Sequence, residues 1–154
     1  MSENNDLMSK KMFSQFCSVL DELEIKYTPH EDDLHISFTV VGNDVPAIYD
    51  IEFNTDFQMI RILSKMPFVV PEDKRFDVGK AVTIVNFELA NGNFDFCYRD
   101  GEILFRISTG YKNSVISKDL MRQLLIVTFM IVERYNDKFL FVAQGIIKPE
   151  DLKE

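Results

Sequence analysis

The stretch Asn91–Ser108, NGNFDFCYRDGEILFRIS, constrains the fold of this chain more than any other. Two runs of alternating apolar and polar side chains meet at Asp100-Gly101, a dipeptide that favours a two-residue hairpin turn. A type I′ turn there sets Arg99 opposite Glu102, Tyr98 opposite Ile103, Cys97 opposite Leu104 and Phe96 opposite Phe105. Asp95 then faces Arg106, and Phe94 faces Ile107. Side chains alternate along a strand, so Phe94, Phe96, Tyr98, Ile103, Phe105 and Ile107 share one face. The other face carries the opposite-charge pairs Asp95–Arg106 and Arg99–Glu102, each worth roughly 0.2–1 kcal/mol. A slip of one residue would drive the aromatics into water and lose both pairs.

The rest of the 154 residues is consistent with a single domain over 1–154, with residues 1–5 and 150–154 loose. Fourteen Phe and no Trp predict a core built on phenylalanine. A net charge of −8 argues against nucleic acid, whose phosphates need a basic surface, and against anionic membrane. Cys17 and Cys97 are too few for a disulfide framework and have no metal spacing. The N-terminus, MSENNDLMSKK, is polar where a signal peptide is apolar. The longest apolar stretch, Leu124–Val132, is far shorter than the ~20 residues that span a bilayer. A reducing cytoplasm is the expected compartment.

Leu7, Met8, Met12, Phe13, Phe16, Val19, Leu20 and Leu23 recur at helical spacing, which predicts a helix from a cap at Asp6 or Ser9 to about Glu24. Thr28–Asp33 reads as a turn. Two alternating segments follow, Leu34–Val41 and Ala47–Phe53, and then Phe57–Ser64, whose two faces are less distinct; broken at Gly42–Pro46 and Asn54–Asp56, they predict an antiparallel meander. Pro67 and Pro71 bracket a connection in which Val69-Val70 can pair briefly. A second helix is expected over about Phe76–Ala90, stopped by Asn91-Gly92. After the hairpin and a connection at Tyr111–Ile116, Ser117 opens a third helix that reaches Ala143 and ends at Gly145.

The centre of this third helix, LLIVTFMIV, has no polar face. Such a helix must be covered on both sides. One side can lie on the sheet, and the other needs either helix 1 or a second copy of the chain. Met121, Leu125, Thr128, Phe129 and Val132 are therefore the expected partner or dimer interface. The fold class is α+β, ordered α-β-β-β-α-β-β-α, with a five-stranded antiparallel sheet and helices packed mainly on one face.

This arrangement resembles the YbjN-like family and, more distantly, the class I type III secretion chaperones, which share the element order. The resemblance is carried by Val78–Ser108: a helix ending in Asn86, Leu89 and Ala90-Asn91, then Gly92-Asn93-Phe94, the Asp100-Gly101 turn and Ile103-Leu104-Phe105-Arg106. The tail Gly145–Glu150 is similar as well. The resemblance implies a small acidic bacterial protein of the cytoplasm, commonly dimeric and without enzymatic activity. In the secretion chaperones, sheet and helix surfaces of a dimer hold an extended partner segment. No site residues carry over, because the shared positions are turn and core.

Chemistry-bearing residues do not assemble into a motif. His30 and His35 flank Glu31-Asp32-Asp33, but a turn histidine and a strand histidine do not converge as zinc ligands must. Asp95, Arg99, Glu102 and Arg106 are paired with one another by the hairpin register. Cys97 has no histidine placed to activate it, and Asn91-Gly92-Asn93 lacks the lysine and element order of a phosphate loop. No catalytic residue, metal or cofactor is expected. The functional expectation is a dimeric, chaperone-like or regulatory module for a protein or peptide partner, with contacts on helix 3, a sheet edge or adaptable Met8, Met12, Met121 and Met130. The alternative is a ligand-binding or enzymatic domain with a pocket between helix 2 and the sheet.

Overall fold

A computed structural model describes residues 2–42, 45–112 and 114–152. The elements are α1 Ser2–Glu22, β1 Thr28–His30, β2 His35–Val40, β3 Ala47–Asn54, β4 Met59–Lys65, α2 Arg75–Glu88, β5 Asn93–Phe96, β6 Ile103–Gly110 and α3 Lys118–Ala143. Single 3₁₀ turns lie at Glu72–Lys74 and Pro149–Leu152. The helices and the three meander strands fall where apolar periodicity placed them. α1 starts ahead of the expected cap, and Leu152 is buried rather than loose. Looseness expected at Met1, Lys153 and Glu154, and the Asn43-Asp44 part of the expected break, lie outside the described residues.

Among the described residues the sheet has six antiparallel strands in the order β1-β2-β3-β4-β6-β5, not five. The additional strand is β1, in the segment read as a turn, and it pairs Thr28 with Ser37, Pro29 with Ile36 and His30 with His35. Its three residues are all exposed. Proline is accepted there because an edge strand pairs on one side only.

The hairpin departs from its expected register by two residues. Phe94 faces Phe105 and Phe96 faces Ile103. A type I′ turn needs positive φ at both central residues, and only Gly101 has it, at 75°. A four-residue loop, Tyr98–Gly101, forms instead, closed by Gly101 N–H to Cys97 O at 2.7 Å and Cys97 N–H to Glu102 O at 2.9 Å. Neighbours outside the hairpin hold that loop. The Arg75 guanidinium donates to Tyr98 O at 3.0 Å and Arg99 O at 2.9 Å, and Gly101 O accepts from Val70 N–H at 2.8 Å. The brief pairing expected of Val70 is thus made to the loop.

A shift of two preserves faces. Phe94, Ile103, Phe105 and Ile107 are buried and Phe96 is half-buried, but Tyr98 is left exposed beyond the last pair. The charges repartner. Asp95 still reaches Arg106, diagonally, at 3.1 Å; Glu102 turns to Lys65 of β4 at 2.6 Å; Arg99 takes Asp100 at 2.9 Å. The Arg99 guanidinium, followed by the Cys97 thiol, holds the Asp100 carboxyl down at about 2.

All three helices cover one face of the sheet, where Ile36, Tyr49, Ile51, Ile60, Ile62 and Phe105 are buried. Ser117 caps α3 by accepting Leu120 N–H at 3.2 Å. Phe94 packs edge-on against Phe105, Tyr135 and Phe139 at 5.1, 5.9 and 4.9 Å. At the other end Phe13 and Phe16 meet the Phe53 ring at 5.6 and 6.1 Å.

Burial pushes the Tyr49 phenol up to about 12. The folded state therefore retains a proton that the unfolded chain releases near pH 10. The stabilising effect is complete below pH 10 and is lost as pH rises toward 12. Thermal melts between pH 9 and 11.5 should fall more steeply for the wild type than for Tyr49→Phe; parallel slopes would remove Tyr49 as a cause of alkaline instability.

Candidate partner-binding site

The structure closes off most of the expected α3 interface. Met121, Leu125 and Thr128 are completely inaccessible, Val132 is buried, and only Phe129 keeps partial exposure. Thr128 satisfies its hydroxyl on Leu124 O at 2.8 Å. Phe129 lies edge-on to Tyr49 at 4.9 Å and Phe38 at 6.2 Å. These side chains serve the chain's own core because this stripe faces the sheet. α1 flanks α3 through Glu22, which accepts from Lys118 and Arg122, each at 2.7 Å. The exposed apolar residues of α3 are instead Leu120, Ile126, Met130 and Phe141. Of the methionines expected at a surface, Met130 is exposed, Met8 is half-buried, and Met12 and Met121 are buried.

Apolar surface is most conspicuous on α2. Phe76 is 76 % exposed and Phe87 is 92 % exposed. They are eleven positions apart, three helical turns, and so lie on one stripe with Lys80 and Thr83. Lys80 is paired with Glu150 from the C-terminal 3₁₀ turn. Gly79 gives this helix a gap over which the Tyr98 ring lies, where any Cβ would collide with the phenol. Tyr98, pushed out of the core by the longer loop, thus borders the same stripe. Toward the core, Val78, Ala81, Val82 and Val85 of α2 are packed and buried where the alternative reading expected a pocket.

A cleft of about 740 Å³ opens elsewhere, between α1 and the β1–β2 turn. Phe13, Leu34 and Phe53 form its floor, and Cys17 and Tyr27 stand on its wall. Leu34 adopts φ 47° and is nevertheless buried, while its carbonyl accepts Phe53 N–H at 3.1 Å. Burial raises the thiol of Cys17 and the phenol of Tyr27. Asp6, Glu31, Asp32 and Asp33 surround the mouth, with Lys10 held by Asp6 at 2.9 Å.

The sheet edges are poor templates for an added strand. Phe94 directs its N–H and C=O away from β6, and the Asn86 side chain takes both: Oδ1 accepts the N–H at 2.7 Å and Nδ2 donates to the C=O at 2.8 Å. The amide of one α2 residue does what a neighbouring strand would do, so the β5 edge is occupied at Phe94. At the opposite edge β1 is three residues long and Pro29 has no N–H. An edge contact was expected, and the capping role of Asn86 was not. Its sequence signal is an amide in the last turn of a helix, eight residues before a strand aromatic.

The other chemistry-bearing residues stay apart. His30 and His35 stack at 4.9 Å, but His35 bonds Asp50 at 2.7 Å and His30 bonds Ser37 at 3.2 Å. Cys97 Sγ donates to Asp100 at 3.3 Å in the hairpin loop. Among the described residues, no helix is long and apolar enough to cross a membrane.

Solved structures similar to this one include the ExsC–ExsE complex, with a TM-score of 0.59 and 9 % identity over 84 % of this chain and 94 % of the other. Another is the HopA1–SchA chaperone–effector complex, with a TM-score of 0.57 and 9 % identity over 86 % and 95 %. YbjN from E. coli aligns more loosely, with a TM-score of 0.49 and 11 % identity over 85 % and 87 %. No family model matches the sequence, and no curated protein matches it significantly. The likeness is one of fold: this chain has the α+β, type III secretion chaperone-like fold, with a six-stranded sheet.

Proposed function

We propose that this chain is a non-enzymatic, chaperone-like protein-binding module, a single cytoplasmic domain that works as a homodimer. The observation that carries the dimer is the α2 stripe, because two phenylalanines this exposed on one helix are surface that an isolated protein gains by covering. A second copy fits best. Phe76 and Phe87 are symmetric about the midpoint of α2, so two antiparallel α2 helices related by a two-fold axis bring each Phe76 over the other copy's Phe87. Each phenylalanine covered contributes roughly 1.5–3 kcal/mol. The Lys80–Glu150 pair at the centre limits the charge to be desolvated. Binding of other proteins is supported by fold neighbours that were solved as a chaperone–effector complex and as a two-protein complex.

Light scattering coupled to gel filtration tests the dimer. The wild type should have about twice the 17.9 kDa chain mass. Phe87→Glu, which changes a side chain with almost no packing to lose, should halve it. Leu125→Ala should keep the double mass while lowering stability by about 2–5 kcal/mol, as a core truncation does. A monomeric wild type removes the dimer. Retention of the double mass by Phe87→Glu moves the dimer off the α2 stripe.

A further inference from the structure

The cleft between α1 and the β1–β2 turn has an apolar floor beneath an acidic rim. Phe13, Leu34 and Phe53 line the bottom. At the mouth, Asp6, Glu31, Asp32 and Asp33 face a single cation, Lys10, which Asp6 already engages at 2.9 Å. Glu31, Asp32 and Asp33 are exposed, and no ion pair within the chain involves them among the described residues. Three consecutive carboxylates on a short turn repel one another, so a cation brought to them relieves a cost as well as forming new contacts. The volume, about 740 Å³, lies in the range of clefts that enclose a ligand.

We infer that this cleft holds a short segment of a partner protein in which lysine or arginine alternates with apolar residues. The inference rests on the protein-binding reading above and names the partner's chemistry. Alternation matters because the two kinds of surface lie at different depths. In an extended segment, successive side chains point to opposite sides. One set reaches the Phe13–Leu34–Phe53 floor while the other stays at the rim beside Glu31, Asp32 and Asp33. With Pro29 lacking an N–H at the β1 edge, the segment is held by its side chains and not as a seventh strand. The chain's net charge of −8 adds long-range attraction, which speeds encounter and is weakened by salt.

Three fluorescein-labelled nonapeptides make the test: alternating Lys-Val, alternating Glu-Val and alternating Lys-Ser. Anisotropy titrations should show Lys-Val binding, Lys-Ser binding at least tenfold weaker, and no binding of Glu-Val. The double variant Glu31→Lys/Asp33→Lys should lose Lys-Val affinity at least tenfold. The same charge reversal far from the cleft, Glu72→Lys/Asp73→Lys, should change it less than threefold. Both doubles alter exposed side chains, and far-ultraviolet circular dichroism checks their folding. Equal loss from the two doubles means the peptide responds to net charge alone and overturns the assignment. So does Lys-Ser binding as tightly as Lys-Val. Masses measured on the same samples separate this failure from that of the dimer: an intact dimer indifferent to the rim reversal removes only the cleft.

Discussion

Replacing Phe94 by alanine should cost about 3–5 kcal/mol, the usual range for deleting a phenylalanine from a close-packed core. The ring is 2 % exposed and is met by Phe105, Tyr135 and Phe139, which belong to β6 and α3. One truncation therefore loosens strand and helix together. At this chain length a loss of that size corresponds to a fall of roughly 10 °C in Tm. Urea unfolding followed by circular dichroism measures it. A loss below about 1 kcal/mol would mean that the site collapses around the deletion and that β5 is not anchored on α3.

The second large effect belongs to Asn86. Asn86→Ala removes both partners of the Phe94 main chain and leaves a buried N–H and a buried C=O unpaired. Each orphaned group costs about 1–3 kcal/mol, so a loss of roughly 2–4 kcal/mol is expected, water recovering part of it. Asn86→Asp is the sharper variant. Its carboxylate can still accept the Phe94 N–H, yet has nothing to donate to the C=O and sets a negative charge beside it. Both variants should speed hydrogen exchange at the Phe94 amide, and both should expose the β5 edge to pairing between molecules. Unchanged exchange at that amide would show that the Asn86 bonds do not protect it. Phe94→Ala and Asn86→Ala act at one residue, so their combined cost should fall short of the sum.

Helix and strand positions were legible because each depends on a local pattern. The 3.6-residue spacing from Met12 to Leu20 marks α1, the Ser117 cap opens α3, and alternation from Ile36 to Phe53 marks the first two strands of the meander. β1 was not legible, since three residues containing a proline carry no periodicity and pair only because β2 lies beside them. The site was less accessible still. An apolar stripe on α3 reads the same whether it meets the chain's own sheet or another molecule, and burial assigns Leu125 to the first. Phe76 and Phe87 look like ordinary core residues in a helix, and only the packing of Val78, Val82 and Val85 leaves them outside.

The hairpin divides what each level decides. From its sequence alone, the stretch from Phe94 to Ile107 determines two strands, a glycine-containing loop and the face that enters the core, because alternation along an extended chain is a property of each strand by itself. The register and the fate of Tyr98 were decided by the tertiary structure. Arg75 and Val70 bind the loop carbonyls from outside the hairpin, and their hydrogen bonds favour a four-residue loop over the two-residue turn that Asp100-Gly101 would prefer in isolation. The two-residue shift conserved the faces of Phe94, Phe96, Ile103, Phe105 and Ile107, so that part of the core was legible from sequence, while the exposure of Tyr98, Phe76 and Phe87 was decided by tertiary packing.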